Sequence, residues 1–150
     1  ERVAKDLLMA LESVTEKKPG DNGTATRAAI PGFRIGGKTG TAKKVKPRGG
    51  YYEGLYTVSF AGILPVDNPR VVIMTVIDEP HPTDCNPGGG TVAAPIFRAA
   101  AERIINVLNI PPSDPDAYEK YLEEKKQTAA AEAEAAAAAS APKKRRSARR

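Results

Sequence analysis

Tryptophan is absent from this chain of 150 residues, and cysteine and histidine occur once each. A lone cysteine, Cys85, excludes an internal disulfide framework and leaves no thiol pair from which to read a redox compartment. Metal chemistry has equally little to work with. His81 and Cys85, with Asp84 between them, fall in one proline-rich loop without a second ligand cluster, so neither a metal nor another cofactor is expected. No run approaches the roughly 18 apolar residues that cross a bilayer, and no charged stretch followed by an apolar one opens the chain. An initiator methionine is missing too. The sequence starts inside an amphipathic pattern at Glu1-Arg2-Val3, as a chain cut from something longer would.

What the chain has most visibly is positive charge, a formal +5, but its distribution removes most of the meaning. Six of the last eight residues, Lys143 to Arg150, are basic, and without them 17 Lys and Arg face 18 Asp and Glu. Basicity therefore belongs to the tail and not to a face of the folded part. The alanine-rich tract before it, with the tail, resembles a basic nucleic-acid arm, which keeps a binding module as an alternative. No aromatic residue is interleaved there to stack on bases, and no nucleic-acid partner is expected.

Apolar residues at Val3, Leu7, Leu8, Leu11 and Val14 recur at helical spacing, and Pro19-Gly20 stops that helix. Phe33 to Val45 reads as a strand-like segment broken by Gly36, Gly37 and Gly40, which suggests a close approach to its backbone. Two β-branched runs, Tyr56 to Leu64 and Arg70 to Ile77, are joined by only five residues, so they form an antiparallel pair. The second run is apolar on both faces and is expected to be a central, covered strand. Thr91 can cap a following helix with a buried stripe of Ile96, Phe97, Ala100, Ile104, Val107 and Leu108; Gly88 to Gly90 before it read as a hinge or turn. Residues 1–110 thus form one unit and residues 111–150 a helical, alanine-rich segment with a basic tail, capped by Ser113 or Asp114. The stripe and the glycine-rich strand both end before residue 113, so residues 113–150 are expected to be dispensable for chemistry.

The chemically loaded stretch is Gly32-Phe33-Arg34-Ile35-Gly36-Gly37-Lys38-Thr39-Gly40-Thr41. It matches the phosphate-loop pattern G-x-x-x-x-G-K-[ST], and Val71 to Ile77 followed by Asp78-Glu79 imitates the strand and acid that hold magnesium, so a nucleotide hydrolase is a second alternative. A phosphate loop, however, must run straight into a helix whose N-terminus binds the phosphates. Gly40, Pro47 and a row of lysines follow instead. Read as a strand, Lys38-Thr39-Gly40-Thr41 directs the Thr39 and Thr41 hydroxyls to one side, where both can hold one carboxylate. Gly40 bares the backbone for an extended peptide, and Lys38 adds positive charge.

K-T-G is the third motif of the penicillin-binding proteins and serine β-lactamases. The stretch from Gly32 to Lys44 resembles class B penicillin-binding proteins, the division-specific transpeptidases most of all. The likeness continues through Thr57 to Pro65, Arg70 to Pro80 and Gly89 to Phe97, over about residues 1–110. It implies an α+β fold, the C-terminal part of a penicillin-binding transpeptidase domain, with three antiparallel strands and packed helices. It implies peptidoglycan stem peptide and β-lactams as ligands, the upstream part of the same domain and division-complex membrane proteins as partners, and an extracytoplasmic, membrane-anchored location. Carried over residue by residue, Lys38 organises proton transfer around a nucleophilic serine, Thr39 and Thr41 bind the terminal carboxylate beside Gly40, and the Thr41 N–H donates to the oxyanion. The family's S-x-x-K and S-x-N motifs do not precede Lys38. Ser140-Ala141-Pro142-Lys143 fits the first in letters only, so the nucleophile is expected on sequence outside these 150 residues.

Overall fold

A computed structural model of the chain describes residues 2–82 and 85–140. Helix α1 (Arg2–Glu12) leads through a two-residue hairpin, β1 (Lys17–Lys18) and β2 (Asp21–Asn22), and a short 3-10 turn to the main sheet. The sheet has the order β3 (Gly36–Val45), β4 (Tyr51–Leu64), β5 (Val71–Asp78), antiparallel throughout. Helices α2 (Ala94–Leu108) and α3 (Pro115–Ser140) follow. This is the α+β arrangement the sequence predicts.

The core lies between the sheet and α2. Residues Gly62, Phe60 and Val58 alternate onto one face of β4, and the Phe60 and Phe97 rings meet edge to face at 4.8 Å. Gly62 makes this approach possible, because a Cβ there would sit 2.3 Å from the Phe97 ring. Both phenylalanines are fully buried, each contributing about 1.5–3 kcal/mol of apolar transfer. Ala93, Ala94, Ala101 and Ile105 complete the buried side of α2. Among the expected stripe residues Phe97 is buried, whereas Ile96, Val107 and Leu108 are exposed.

Two expectations need correcting. The apolar run Val71–Asp78 is not central: β4 is, and β5 is the edge strand, its outer face exposed at Val72, Met74 and Val76. Apolarity on both faces announced a cover that no described residue supplies. Nor does Thr91 cap the helix. A wide π turn over Gly89–Ala93 precedes α2, and the Thr91 hydroxyl donates back to the carbonyls of Asn86 and Gly88.

Beyond Ile110 the chain returns to the body. The carboxylate of Asp114 accepts the Ala117 N–H at the start of α3, and the Asp114 N–H donates to the Gly32 carbonyl at 3.0 Å. Gly32 holds φ at +84°, and a Cβ there would lie 2.4 Å from Tyr118 Cβ. Tyr118 meets Phe33 edge to face at 5.0 Å. One turn on, Tyr121 donates its hydroxyl to Glu102, which also receives Lys125 and Arg98, so the first turns of α3 are latched to α2. From Leu122 onward the helix changes character, and residues 122–136 are all exposed.

Candidate functional site

Strand β3 carries all four residues singled out in the sequence. Its pairing with β4 sets Gly37↔Gly62, Thr39↔Phe60 and Thr41↔Val58 on the face toward α2, and Lys38↔Ala61 and Gly40↔Ser59 on the opposite face. Thr39 and Thr41 thus share a side, and Lys38 points from the other. The side-chain ammonium of Lys38 donates to the Thr39 carbonyl at 2.7 Å, so it curls around the strand toward the threonines.

What joins the two faces is the edge. Among the described residues β3 pairs with β4 alone, and none of them pairs with its second edge. The Arg34 carbonyl accepts from Val66 N–H on the β4 side, whereas the Ile35 carbonyl accepts from the Thr15 hydroxyl on the other. Alternation along the strand then turns the N–H and C=O groups of Gly37, Thr39 and Thr41 outward. An extended peptide laid along this edge would meet backbone partners, two threonine hydroxyls and the Lys38 charge together.

Glycines on and beside the strand permit the close packing. A Cβ on Gly37 would meet the Phe60 ring at 2.4 Å, and one on Gly40 would meet Ser59 Oγ at 2.4 Å. A side chain at Gly40 would therefore force the Ser59 hydroxyl to turn away. Gly89 was not singled out as a site residue in the sequence, yet it lies against the motif: its N–H donates to Thr41 Oγ1 at 3.4 Å, and a Cβ there would fall 2.2 Å from the Ser59 carbonyl and 3.0 Å from Gly40 N. Three consecutive glycines carried that signal, which by sequence alone reads as a hinge or turn.

Ion pairs fix both ends of β3. Arg34, just before it, makes a two-pronged contact with Glu12 of α1 at 2.7 and 2.6 Å, and that hydrogen bonding raises the Arg34 pKa against the opposing effect of burial. Near the other end, Lys44 reaches Asp78 at 2.8 Å and Glu79 at 2.5 Å across β4. Its hydrogen bond, with that of Thr57, holds the Asp78 carboxyl below the usual range, and Asp78 and Glu79 together raise Lys44.

The phosphate-loop alternative fails on geometry, because Gly36–Val45 is a strand where that motif requires a helix N-terminus. Of the metal candidates, Asp84 lies outside the described residues, and among those described no three His, Cys, Asp or Glu side chains converge. The basic tail behind the nucleic-acid alternative, and Ser140-to-Lys143 past its first residue, also lie outside them.

A family model described as "Penicillin binding protein transpeptidase domain" matches residues 1–102. The peptidoglycan D,D-transpeptidase FtsI homolog of Mesostigma viride is 44% identical over 101 residues, covering 67% of this chain and 16% of the relative. Stage V sporulation protein D of Bacillus subtilis is 40% identical over 121 residues, covering 81% and 18%. Among solved structures, the transpeptidase domain of penicillin-binding protein 3 from Burkholderia pseudomallei superposes with a TM-score of 0.65 at 39% identity, over 76% of this chain and 32% of that one. Penicillin-binding protein 3 of Mycobacterium tuberculosis in complex with ampicillin gives 0.65 at 37% identity, over 76% and 26%. The chain therefore spans less than a fifth of these curated relatives' length.

Proposed function

This chain belongs to the penicillin-binding protein transpeptidase family, and on that premise we propose that it forms the carboxylate-binding side of a peptidoglycan D,D-transpeptidase whose nucleophilic serine lies outside these 150 residues. One observation carries the reading: Thr39 and Thr41 share a face along an open strand edge, with Lys38 curled toward them. In this role the two hydroxyls and the backbone at Gly40 hold the terminal carboxylate of a stem peptide. The serine attacks the carbonyl of the penultimate residue, the amide bond breaks, and the departing alanine takes a proton from the network that Lys38 organises. The acyl group then passes to the amine of a neighbouring strand. Thr41 N–H, directed outward on the edge, donates to the oxyanion, a contribution of about 3–4 kcal/mol for such a donor. β-Lactams bind by occupying the same carboxylate and oxyanion positions.

The upstream part of the same domain is the natural cover for the exposed apolar surfaces. Val72, Met74 and Val76 on β5, and Val3 and Leu7 on α1, are more than half exposed. Patches of this kind mark an interface rather than a finished surface. Anchoring would come from outside these residues, since among the described ones no helix is long and apolar enough to cross a membrane. The enzyme would then work on the extracytoplasmic face, in cell division alongside membrane proteins of the division complex.

Labelled penicillin tests the proposal. The whole protein should form a stable acyl adduct, and the isolated 150-residue chain should form none. An unmodified whole protein would overturn the function, and an adduct on the isolated chain would overturn the placement of the serine.

A further inference from the structure

Strand β4 is longer than its partner. β5 pairs with Thr57 to Leu64 and Glu79 N–H still reaches the Tyr56 carbonyl at 2.9 Å, so Tyr51 to Leu55 extend past the sheet with the end of β3 beside them. The result is a two-stranded arm in which every residue from Val45 to Gly54 is exposed. Its base is clamped by Lys44 on Asp78 and Glu79. Its tip is a tight turn, closed by Lys46 N–H to the Gly50 carbonyl at 2.9 Å, with φ of +91° at Gly49 and +78° at Gly50.

The chemistry of the tip is cationic and aromatic. Lys46 sits 5.6 Å from the centre of the Tyr52 ring, Arg48 and Tyr51 are exposed on the surface, and the one acid, Glu53, is only loosely approached by Lys43 at 3.9 Å. Val45 and Tyr51 are 68% and 58% exposed, an unusual amount of apolar area to leave on a hairpin that no other described residue covers.

The direction of the bound peptide links the arm to the motif. At the start of β3 the edge is closed, because Thr15 occupies the Ile35 carbonyl and α1 packs on Gly36. A peptide whose carboxylate ends at Thr39 and Thr41 therefore extends the other way, as an antiparallel addition past Ala42 and Lys43. Four residues of strand, about 13 Å, separate Thr41 from Val45, the first exposed residue of the arm. A peptide that follows the strand for four residues before its terminus reaches the arm.

We propose that this arm is a docking surface for the polymer side of the substrate, an anionic glycopeptide whose carboxylates meet Lys46 and Arg48 and whose sugar rings lie on Tyr51 and Tyr52. The proposal rests on the reading that the edge at Thr39 and Thr41 receives a stem-peptide carboxylate. Small ligands end before the arm; polymer does not. Recognition is thereby divided between a short peptide terminus read at the edge and the carrier strand read about 13 Å away.

The test uses the whole protein in two double variants, Lys46→Glu with Arg48→Glu, and Tyr51→Ser with Tyr52→Ser. All four side chains are exposed in this chain and the turn glycines are retained, and penicillin acylation of each variant reports whether the whole protein still folds. Labelled penicillin should acylate both variants within twofold of the unmutated rate. With uncrosslinked peptidoglycan strands as acyl donor, KM should rise tenfold or more at a kcat changed less than twofold. Added salt should raise KM in the unmutated protein and lower it in the charge-reversed variant, whose introduced carboxylates repel the anionic strand until they are screened. A polymer KM within twofold in both variants overturns the docking surface, as does parallel loss of penicillin acylation, which would place the arm in the reactive site. An unmutated protein that penicillin does not modify overturns the underlying reading instead.

Discussion

The sheet has two edge strands, and they are built oppositely. Along β3 the residues turned to the open edge are Gly37, Thr39 and Thr41, with small or hydroxylic side chains and an ammonium curled over the strand. On β5 the alternate residues Val72, Met74 and Val76 are 70, 66 and 54% exposed, and nothing polar accompanies them until Asp78. A peptide that must be released needs hydrogen bonds and charge contacts that water can replace. A permanent neighbour is better held by apolar area, at about 25 cal/mol per Å² buried. On the proposed function, the contrast separates a ligand edge from a docking face within one three-stranded sheet.

The severest test of the ligand edge is Lys38→Ala in the whole protein. If Lys38 acts within a proton-transfer network whose members work as a unit, the penicillin acylation rate should fall by about three orders of magnitude or more, with initial binding less affected. Rates measured against penicillin concentration separate the two. Saturable ATP binding that disappears with Lys38, beside no acylation in the unmutated protein, would return the segment to the phosphate-loop reading.

For the docking face the matching experiment is Met74→Asp with Val76→Asp. Were the face covered in the whole protein, two unpaired carboxylates would be buried, each costing several kcal/mol, and soluble yield or Tm should collapse. On an uncovered face the pair would change Tm by only a few degrees. That second outcome would erase the difference between the two strands.

Thr41→Val reaches one step deeper into the ligand edge. It keeps the outward N–H and deletes one hydroxyl contact, so acylation should drop by the roughly 1.5–3 kcal/mol expected of a hydrogen bond to a charged group. The same change removes the acceptor of the long Gly89 N–H contact, which adds a little to the loss, and the total should still fall well short of that at Lys38.

How far the sequence carried these conclusions depends on what each residue reports. Lys38 to Thr41 were legible as a strand whose threonines share a side because alternation needs no tertiary information, while their place at a site came from the resemblance that K-T-G carries. The β4–β5 hairpin was legible because a five-residue link leaves few alternatives. The place of β5 was not, since apolarity on both faces reports that a strand is to be covered but not by which chain segment. Gly89 escaped notice because its constraint is a contact with Ser59 and Gly40, some 30 and 49 positions away. Tyr118 escaped for the same reason, its partner being Phe33.

The smallest effects concern α3, which touches the ligand edge only at its origin. Gly32 and Phe33, packed under Tyr118 and Asp114, lead into β3 three residues later, while no comparable brace from α3 reaches β5 among the described residues. Ending the whole protein after Ile110 should keep acylation within tenfold, about 1.4 kcal/mol, yet lower Tm, because Tyr118, Tyr121 and the latch to α2 are lost. Ending it after Lys126 should change neither. The latch also has a pH signature. Burial alone would raise the Glu102 carboxyl, but hydrogen bonds from Lys125, Tyr121 and Arg98 outweigh it and hold the group below its ordinary 4.5. A depressed carboxyl stabilises the fold fully above the unfolded-state value and loses that contribution as pH falls through the lower folded one. The Tm gap between the intact protein and the Ile110 truncation should therefore narrow in acid, below about pH 4.5, and stay constant from there to neutrality. A gap that ignores pH would assign the stabilisation to Tyr118 on Phe33 and Gly32 alone, and would make the origin of β3, rather than the α2 contact, the point at which α3 acts.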